Sequence, residues 1–226
     1  WQSLTHEELV QQVTDYTKET ISAFAAAKVM PEIVQIGNEV RPGMLWPKGR
    51  IPQNWDNFAD YLKAGVKGVD LGRGKSKMPK TMIHNDEGGK VEGARWFYDG
   101  LTKRSVPFDI IGFSYYPFWH GTFADLKATL NDSAQRYGKE VMVVETAFHW
   151  QPHDESRGQT MEFPETPDGQ AQFFEKVIQT VLEVPKGRGT GVFWWEPATQ
   201  GVCVTRSMMD FEGNVLPAIR VFDRHR

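Results

Sequence analysis

Short apolar runs alternate along the chain with longer segments in which apolar residues recur every three or four positions. The short runs are rich in Val and Ile, which is typical of strands buried on both faces in a parallel sheet. The longer segments have the period of amphipathic helices. This alternation, without an internal repeat, a low-complexity tract or a linker, predicts one parallel α/β domain.

The pattern predicts five strands and the helices between them. The strands are expected at 33–37, 80–84, 109–115, 140–145 and 190–195. The first helix begins after Thr5, which opens a capping-box sequence, and runs to about residue 29. Further helices are expected at 55–69 and 90–103, after a cap at Thr122, at 170–183, and as a short tail near 217–222.

Two glutamates end two of the predicted strands. Glu39 follows the run that starts at Ile33, and Glu145 ends the run that starts at Val141. Catalytic residues of (β/α) barrels collect at the C-terminal ends of the strands. A retaining glycosidase needs one carboxyl group to protonate the leaving oxygen and a second, about 5–5.5 Å away, to attack the sugar. The pair therefore indicates a retaining glycosidase.

Composition narrows the class of protein. The 226 residues are 40% hydrophobic and 24% charged, as in ordinary globular domains, and the net charge is −3. Without a basic stripe, a nucleic-acid partner is not expected. The only cysteine, Cys203, cannot form an internal disulfide, and no apolar run reaches the roughly 18 residues of a membrane helix.

Ordered motifs along the chain resemble those of glycoside hydrolase family 53, the arabinogalactan endo-β-1,4-galactanases of clan A. The resemblance is carried by Val34-Gln35-Ile36-Gly37-Asn38-Glu39, Gly43-Met44-Leu45-Trp46-Pro47, Met82-Ile83-His84, Asp109 to Thr122, Val143-Val144-Glu145-Thr146 and Gly191-Val192-Phe193-Trp194-Trp195-Glu196-Pro197. It covers essentially the whole chain. It implies a (β/α)8 TIM barrel in which the five predicted strands are the fourth to the eighth.

The strand count and the resemblance together predict that residues 1–226 are a single catalytic-domain fragment without the three N-terminal βα units. The clan positions its nucleophile and sugar with groups from those units. Without them, 33–37 and 190–195 would be sheet edges, and we expect the fragment to fold poorly or to be inactive.

The resemblance also assigns roles to site residues. Glu39 would be the general acid/base and Glu145 the nucleophile. Tyr116 would hydrogen-bond the nucleophile, and six residues would contact the substrate: Asn38, His84, Trp46, Trp119, His120 and Trp195. All of these but Trp195 also have a structural interpretation: Asn38 as a turn residue, Tyr116 as a core aromatic, His84 as a satisfied structural histidine, and Trp46, Trp119 and His120 as loop packing. Trp195 would be the platform for the cleaved sugar, and Trp194 should face the opposite side and pack under a helix.

The loop after the strand at 140–145 contains His149, His153, Asp154 and Glu155. Some bacterial members of the family bind calcium in this loop. The sequence has no EF-hand spacing and no helical His-x-x-x-His pair here. We therefore expect a solvated loop, no metal and no cofactor.

Two alternatives remain open from the sequence. Another clan A endo-glycosidase, such as a mannanase or xylanase, would share both glutamates, and only the motifs at 43–47 and 118–122 favour galactan. A non-catalytic polysaccharide-binding or vestigial fragment would present Trp46, Trp119 and Trp195 to a polysaccharide without turnover, and both glutamates would be dispensable. The expected partner is galactan or arabinogalactan, with no nucleic acid or membrane partner. The complete protein is expected to be a monomer. It is also expected to be secreted or periplasmic, because a cell-wall polymer cannot enter a cytoplasm.

Overall fold

The computed structural model describes residues 1–199 and 204–225. Cys203 lies outside the described residues. The helices are α1 (His6–Ala27), α2 (Trp55–Gly72), α3 (Val91–Lys103), α4 (Pro117–His120), α5 (Phe123–Tyr137) and α6 (Pro167–Leu182). The strands are β1 (Ile33–Gln35), β2 (Lys80–Asn85), β3 (Ile110–Tyr115), β4 (Glu140–Thr146) and β5 (Gly189–Trp194). Short 3-10 turns cover Asp154–Ser156, Pro185–Gly187, Val204–Arg206 and Pro217–Arg224.

The five strands form one sheet in chain order, β1 to β5. The pairs β1–β2 and β4–β5 are parallel, with Ile33 opposite Lys80 and Val141 opposite Gly189. At least one helix lies between each strand and the next along the chain, as connections between parallel neighbouring strands need. The predicted parallel α/β arrangement is therefore confirmed. β1 and β5 are the first and last strands of the sheet, and residues of both are partly exposed.

The first of two compact units comprises residues 1–86 and 93–112. In it, α1 packs against α2, and aromatic side chains of α2 and α3 fill the core. Tyr98 is fully buried, and its hydroxyl donates to the carbonyl oxygens of Ile83 in β2 and Gly112 in β3. These hydrogen bonds fix α3 against both strands.

The second unit comprises residues 87–92 and 113–226. Its core contains a column of stacked rings in which Phe148 lies 6.0 Å from Phe118 and 4.8 Å from Phe173, measured between centroids. α6 packs on β5 and against the turn at Pro217–Arg224. Thr146 donates its hydroxyl to the Tyr115 carbonyl at 2.6 Å, which joins the C-terminal ends of β3 and β4.

The predicted capping box at Thr5 and the predicted cap at Thr122 are both confirmed. Thr5 caps α1 with a reciprocal hydrogen bond from Glu8, and Thr122 caps α5 in the same way with Asp125. The one-turn helix α4 was not predicted, because four residues are too few to show a helical period. In the described residues, no helix is both long and apolar enough to cross a bilayer.

Candidate active site

Glu39 lies in the turn that follows β1. The strand itself ends at Gln35, earlier than predicted, so that Asn38 and Glu39 belong to the loop and not to the strand. Glu39 has a φ of +47°, a left-handed conformation that is strained for a side chain of this type. The neighbouring Val40 donates its N–H to the His84 carbonyl, which holds the turn against the end of β2. A strained backbone held in place by its surroundings is common at functional sites.

His84 orients the amide of Asn38. The ring is 1% exposed, and its Nδ1 lies 3.0 Å from Asn38 Oδ1 and 3.4 Å from the Glu39 backbone nitrogen. Burial lowers the pKa of His84 to about 4, although nearby Asp86 acts to raise it, so the ring is neutral at pH 7. Gln35 Nε2 also donates to Asn38 Oδ1. His84 therefore holds the Asn38 side chain in place, and its contact with substrate stays a prediction.

An ion pair that the sequence did not predict lies in the same unit. Arg41 Nε is 2.6 Å from Asp86 Oδ1, and Arg41 Nη2 is 3.1 Å from Asp86 Oδ2. Bidentate pairs of this kind fix both side chains. No local pattern indicates it, because the partners are 45 residues apart.

Trp46 has an exposed indole, as a sugar-stacking residue would. Its Nε1 donates to the Pro42 carbonyl, and the Arg50 guanidinium lies 4.5 Å over the ring. One face of the ring therefore makes a cation–π contact within the loop, and the indole is fixed in position.

Glu145 lies inside β4, one residue before its end. Its side chain is only 9% exposed, and its Oε1 accepts a 2.8 Å hydrogen bond from the Tyr116 hydroxyl. Tyr116 directly follows β3 and is the N-cap residue of α4. This hydrogen bond is the one that the family resemblance implies, in which the tyrosine hydroxyl donates to the nucleophile.

The short helix α4 presents the other aromatic candidates of this unit. Trp119 is half exposed, with its ring centroid 5.2 Å from that of Tyr116. His120 accepts the Tyr116 backbone N–H at Nδ1, 2.9 Å away, so it serves at least to close the turn. Pro117 at the first helical position fits the start of a helix.

Trp194 and Trp195 face opposite ways, as predicted. Trp194 is buried 5.0 Å from Phe174 of α6, in an edge-to-face arrangement, which confirms its predicted packing under a helix. Trp195 is exposed, and its backbone N–H donates to the Thr146 carbonyl next to Glu145. It thus has the position expected of a platform at the end of the strand.

The predicted solvated loop after β4 is right for the exposed Asp154 but wrong for His149. His149 is buried, with Nε2 2.9 Å from Glu155 Oε2 and Nδ1 2.7 Å from Thr205 Oγ1. Burial lowers the pKa of His149, and the hydrogen bond to Glu155 only partly opposes this. The neutral ring therefore donates from Nε2 to the carboxylate and accepts the threonine hydroxyl at Nδ1. The same carboxylate oxygen pairs with Arg206.

This cluster does not fit a calcium site. The candidate ligand atoms of His149, His153 and Glu155 lie within 4.8 Å of one another. Calcium takes six to eight oxygen ligands, whereas two of these three groups are imidazoles, and Arg206 already neutralises the carboxylate. Both ring nitrogens of His149 are also engaged in hydrogen bonds.

Comparison with known proteins gives the family. The model of glycosyl hydrolase family 53 matches residues 1–225. The chain belongs to glycosyl hydrolase family 53. Among family relatives, the arabinogalactan endo-β-1,4-galactanase of Thermothelomyces thermophilus is 34% identical over 96% of this chain and 69% of its own length. The probable arabinogalactan endo-β-1,4-galactanase A of Aspergillus oryzae is 37% identical over 88% of this chain, which spans 58% of that relative.

Solved structures agree with the family assignment. A chain from the structures of two fungal β-1,4-galactanases superposes with a TM-score of 0.88 at 32% identity, covering 98% of this chain and 70% of its own. The family 53 catalytic domain of Ignisphaera aggregans gives 0.87 at 30% identity, covering 97% and 66%. The five parallel strands with their helices are thus part of a TIM barrel, and the predicted fold class is confirmed.

Proposed function

We propose that the protein is a retaining endo-β-1,4-galactanase that hydrolyses galactan or arabinogalactan. The observation that carries the proposal is the buried Glu145 carboxylate, which accepts a hydrogen bond from Tyr116 at the end of a barrel strand in a family 53 chain. The names of the relatives supply the substrate class.

In the proposed mechanism, Glu145 attacks the anomeric carbon of the sugar. The bond from that carbon to the departing oxygen breaks, and Glu39 gives its proton to the leaving oxygen. Glu39 then accepts a proton from water, which attacks the glycosyl enzyme and releases Glu145 with retained configuration. The mechanism requires the two carboxyl groups to be about 5–5.5 Å apart.

The Tyr116 hydroxyl suits this role for Glu145. A hydrogen bond to one carboxylate oxygen fixes the side chain and leaves the other oxygen for attack. It also stabilises the ionised form of a buried carboxylate, which desolvation disfavours.

Asn38 would bind the sugar 2-hydroxyl. Its Oδ1 is engaged by His84 and Gln35, so the amide nitrogen is the part of the side chain oriented for a new acceptor. Hydrogen bonds to the 2-hydroxyl strengthen as the oxocarbenium ion develops, so this contact would stabilise the transition state. Trp46, Trp119, His120 and Trp195 would form subsite walls.

The proposed substrate also implies where the protein acts. A cell-wall polysaccharide is too large to enter a cell, so we propose secretion or a periplasmic location. We further propose that the protein acts as a monomer on galactan, without a metal or another cofactor, because the two-carboxylate mechanism needs neither.

The test is reducing-sugar release by the complete protein from a panel of β-1,4-galactan, arabinogalactan, mannan and xylan, since residues 1–226 alone are expected to fold poorly or to be inactive. We expect hydrolysis of the two galactans alone. Glu39→Gln should lower kcat/KM by roughly 10²–10⁴-fold, the usual contribution of general acid–base catalysis. Glu145→Gln should lower it at least as much, because no covalent intermediate can form. Glu32→Gln, an exposed glutamate just before β1, is the matched control and should retain full activity.

The panel also separates the alternatives. Preference for mannan or xylan would assign a different endo-glycosidase of the same clan. Binding of galactan without hydrolysis by the unmodified protein, unaffected by Glu145→Gln, would favour a binding protein and contradict the proposal.

A further inference from the structure

Arg206 is a buried cation surrounded by aromatic rings. It ends the 3-10 turn after β5 and is only 6% exposed. Its guanidinium carbon lies over the rings of Tyr116 and Trp119, 5.2 Å from each centroid, and 5.9 Å from the centroid of Phe118. One guanidinium group therefore contacts three aromatic rings, one at the N-cap of α4 and two within it.

Glu155 anchors this guanidinium from the other side. Arg206 Nη2 pairs with Glu155 Oε2, while Arg206 Nε has no hydrogen-bond partner among the described residues. Burial of Glu155 acts to raise its pKa, but the hydrogen bonds from Arg206 and His149 outweigh this and hold the pKa below its usual value. The carboxylate is therefore ionised at neutral pH, and the buried cation has a fixed counter-charge.

The anchor is itself rigid. His149 donates to the same carboxylate oxygen, and its other ring nitrogen accepts from Thr205, the residue before Arg206. Trp150 also donates its backbone N–H to the Thr205 carbonyl. The loop after β4 and the turn after β5 are thus joined by both side-chain and backbone hydrogen bonds.

We propose that Arg206, anchored by Glu155, is a positioning residue that fixes the rings of Tyr116 and Trp119 and thereby the hydrogen bond from Tyr116 to Glu145. The inference rests on the proposed role of Glu145 as nucleophile. Arg206 touches the ring that carries the donor hydroxyl, and 2.8 Å separates that hydroxyl from Glu145 Oε1. A small displacement of the ring would lengthen this bond and misalign the carboxylate.

The test is a double-mutant cycle in kcat with Arg206→Met and Tyr116→Phe. Misplacing a catalytic group by about 1 Å can cost roughly 10²-fold, so we expect Arg206→Met to lower kcat on galactan by roughly 10- to 100-fold. If Arg206 acts through the tyrosine hydroxyl, the same change in the Tyr116→Phe background should lower kcat by less than about threefold, because coupled residues are not additive.

Two further variants separate positioning from folding. Arg206→Lys retains the charge but not the planar guanidinium, so it should recover part of the kcat lost in Arg206→Met and show the same coupling to Tyr116→Phe. Arg157→Met changes an exposed arginine that pairs with Asp154 in the loop of Glu155, and it should retain full kcat. Urea denaturation at the assay temperature establishes that each variant is folded.

The outcomes distinguish this inference from the proposed function. Two results would overturn the inference alone if the unmodified protein hydrolyses galactan. In the first, Arg206→Met and Arg206→Lys keep full kcat. In the second, the fold-loss of kcat in each double mutant equals the product of the losses in its two single mutants. A folded, complete protein without glycosidase activity would overturn the proposed function and the inference with it.

Discussion

His84 illustrates how burial changes the chemistry of one side chain. A histidine at the end of a predicted strand is equally compatible with substrate binding and with a structural role, and the sequence alone left both open. In the structure the ring is enclosed, with Nδ1 against Asn38. The buried ring therefore supports Asn38 and the turn that carries Glu39, and its contact with substrate stays a prediction.

The buried His84 should make stability fall in acid. Its pKa is about 4 when folded, against 6.5 for an ordinary histidine, so between these values the unfolded chain binds a proton that the folded protein does not. The free energy of unfolding should therefore decrease as pH falls from 6.5 to 4, by up to about 3 kcal/mol from this residue. Urea denaturation from pH 7 to pH 4 measures this decrease.

The matched variant is His84→Gln, which retains an amide near Asn38 but does not titrate. Its free energy of unfolding should fall less steeply over the same pH interval. If the free energy of unfolding depends equally on pH in both proteins, His84 has the same pKa folded and unfolded, which would contradict the prediction.

Arg206 illustrates what sequence patterns miss at this scale. Glu39 and Glu145 follow recognisable apolar runs and could be predicted. The Arg206–Glu155 pair joins residues 51 apart, in two loops without periodicity. Only the fold brings them together, and the same loop was predicted to be solvated because its own residues are polar.

At the scale of helices and strands, local chemistry predicted most boundaries. Thr5 and Thr122 both begin capping boxes, and both helices start where those residues indicate. β1 ends earlier than its apolar run because Gly37 adopts a φ of +78° and turns the chain. The run of β-branched residues gave the position of the strand, but tertiary structure decided its end.

Gly68 of α2 lets helices α1 and α2 pack closely, because it has no side chain. A Cβ atom on Gly68 would lie 2.7 Å from the Thr14 carbonyl oxygen and 2.6 Å from Thr17 Cβ. Gly68→Ala should therefore destabilise the protein by about 2 kcal/mol, because overpacking outweighs the better helix propensity of alanine. Lys67→Ala, an exposed neighbour, should change stability by less than about 0.5 kcal/mol. If urea denaturation shows Gly68→Ala to be more stable than the unmodified protein, the two helices can move apart to accommodate the methyl group without loss of stability.

For the whole molecule, the alternation of strands and helices predicted the parallel α/β class, and the ordered motifs predicted the family. Both are confirmed by the five-stranded sheet and by the family match over residues 1–225. Solved xylanases superpose at a TM-score of 0.62 for one from Clostridium stercorarium, with 14% identity, so the fold alone does not separate the substrates. The activity therefore has to be established by the reaction itself.

The central claim is that two glutamates carry out a double displacement on β-1,4-galactan. Proton NMR of the reaction in its first minutes follows the anomeric configuration of the newly formed reducing ends. The account predicts that β-anomers form first and convert to α-anomers only by mutarotation, and that Glu145→Gln forms neither. First-formed α-anomers, or turnover of galactan that persists in Glu145→Gln, would contradict it.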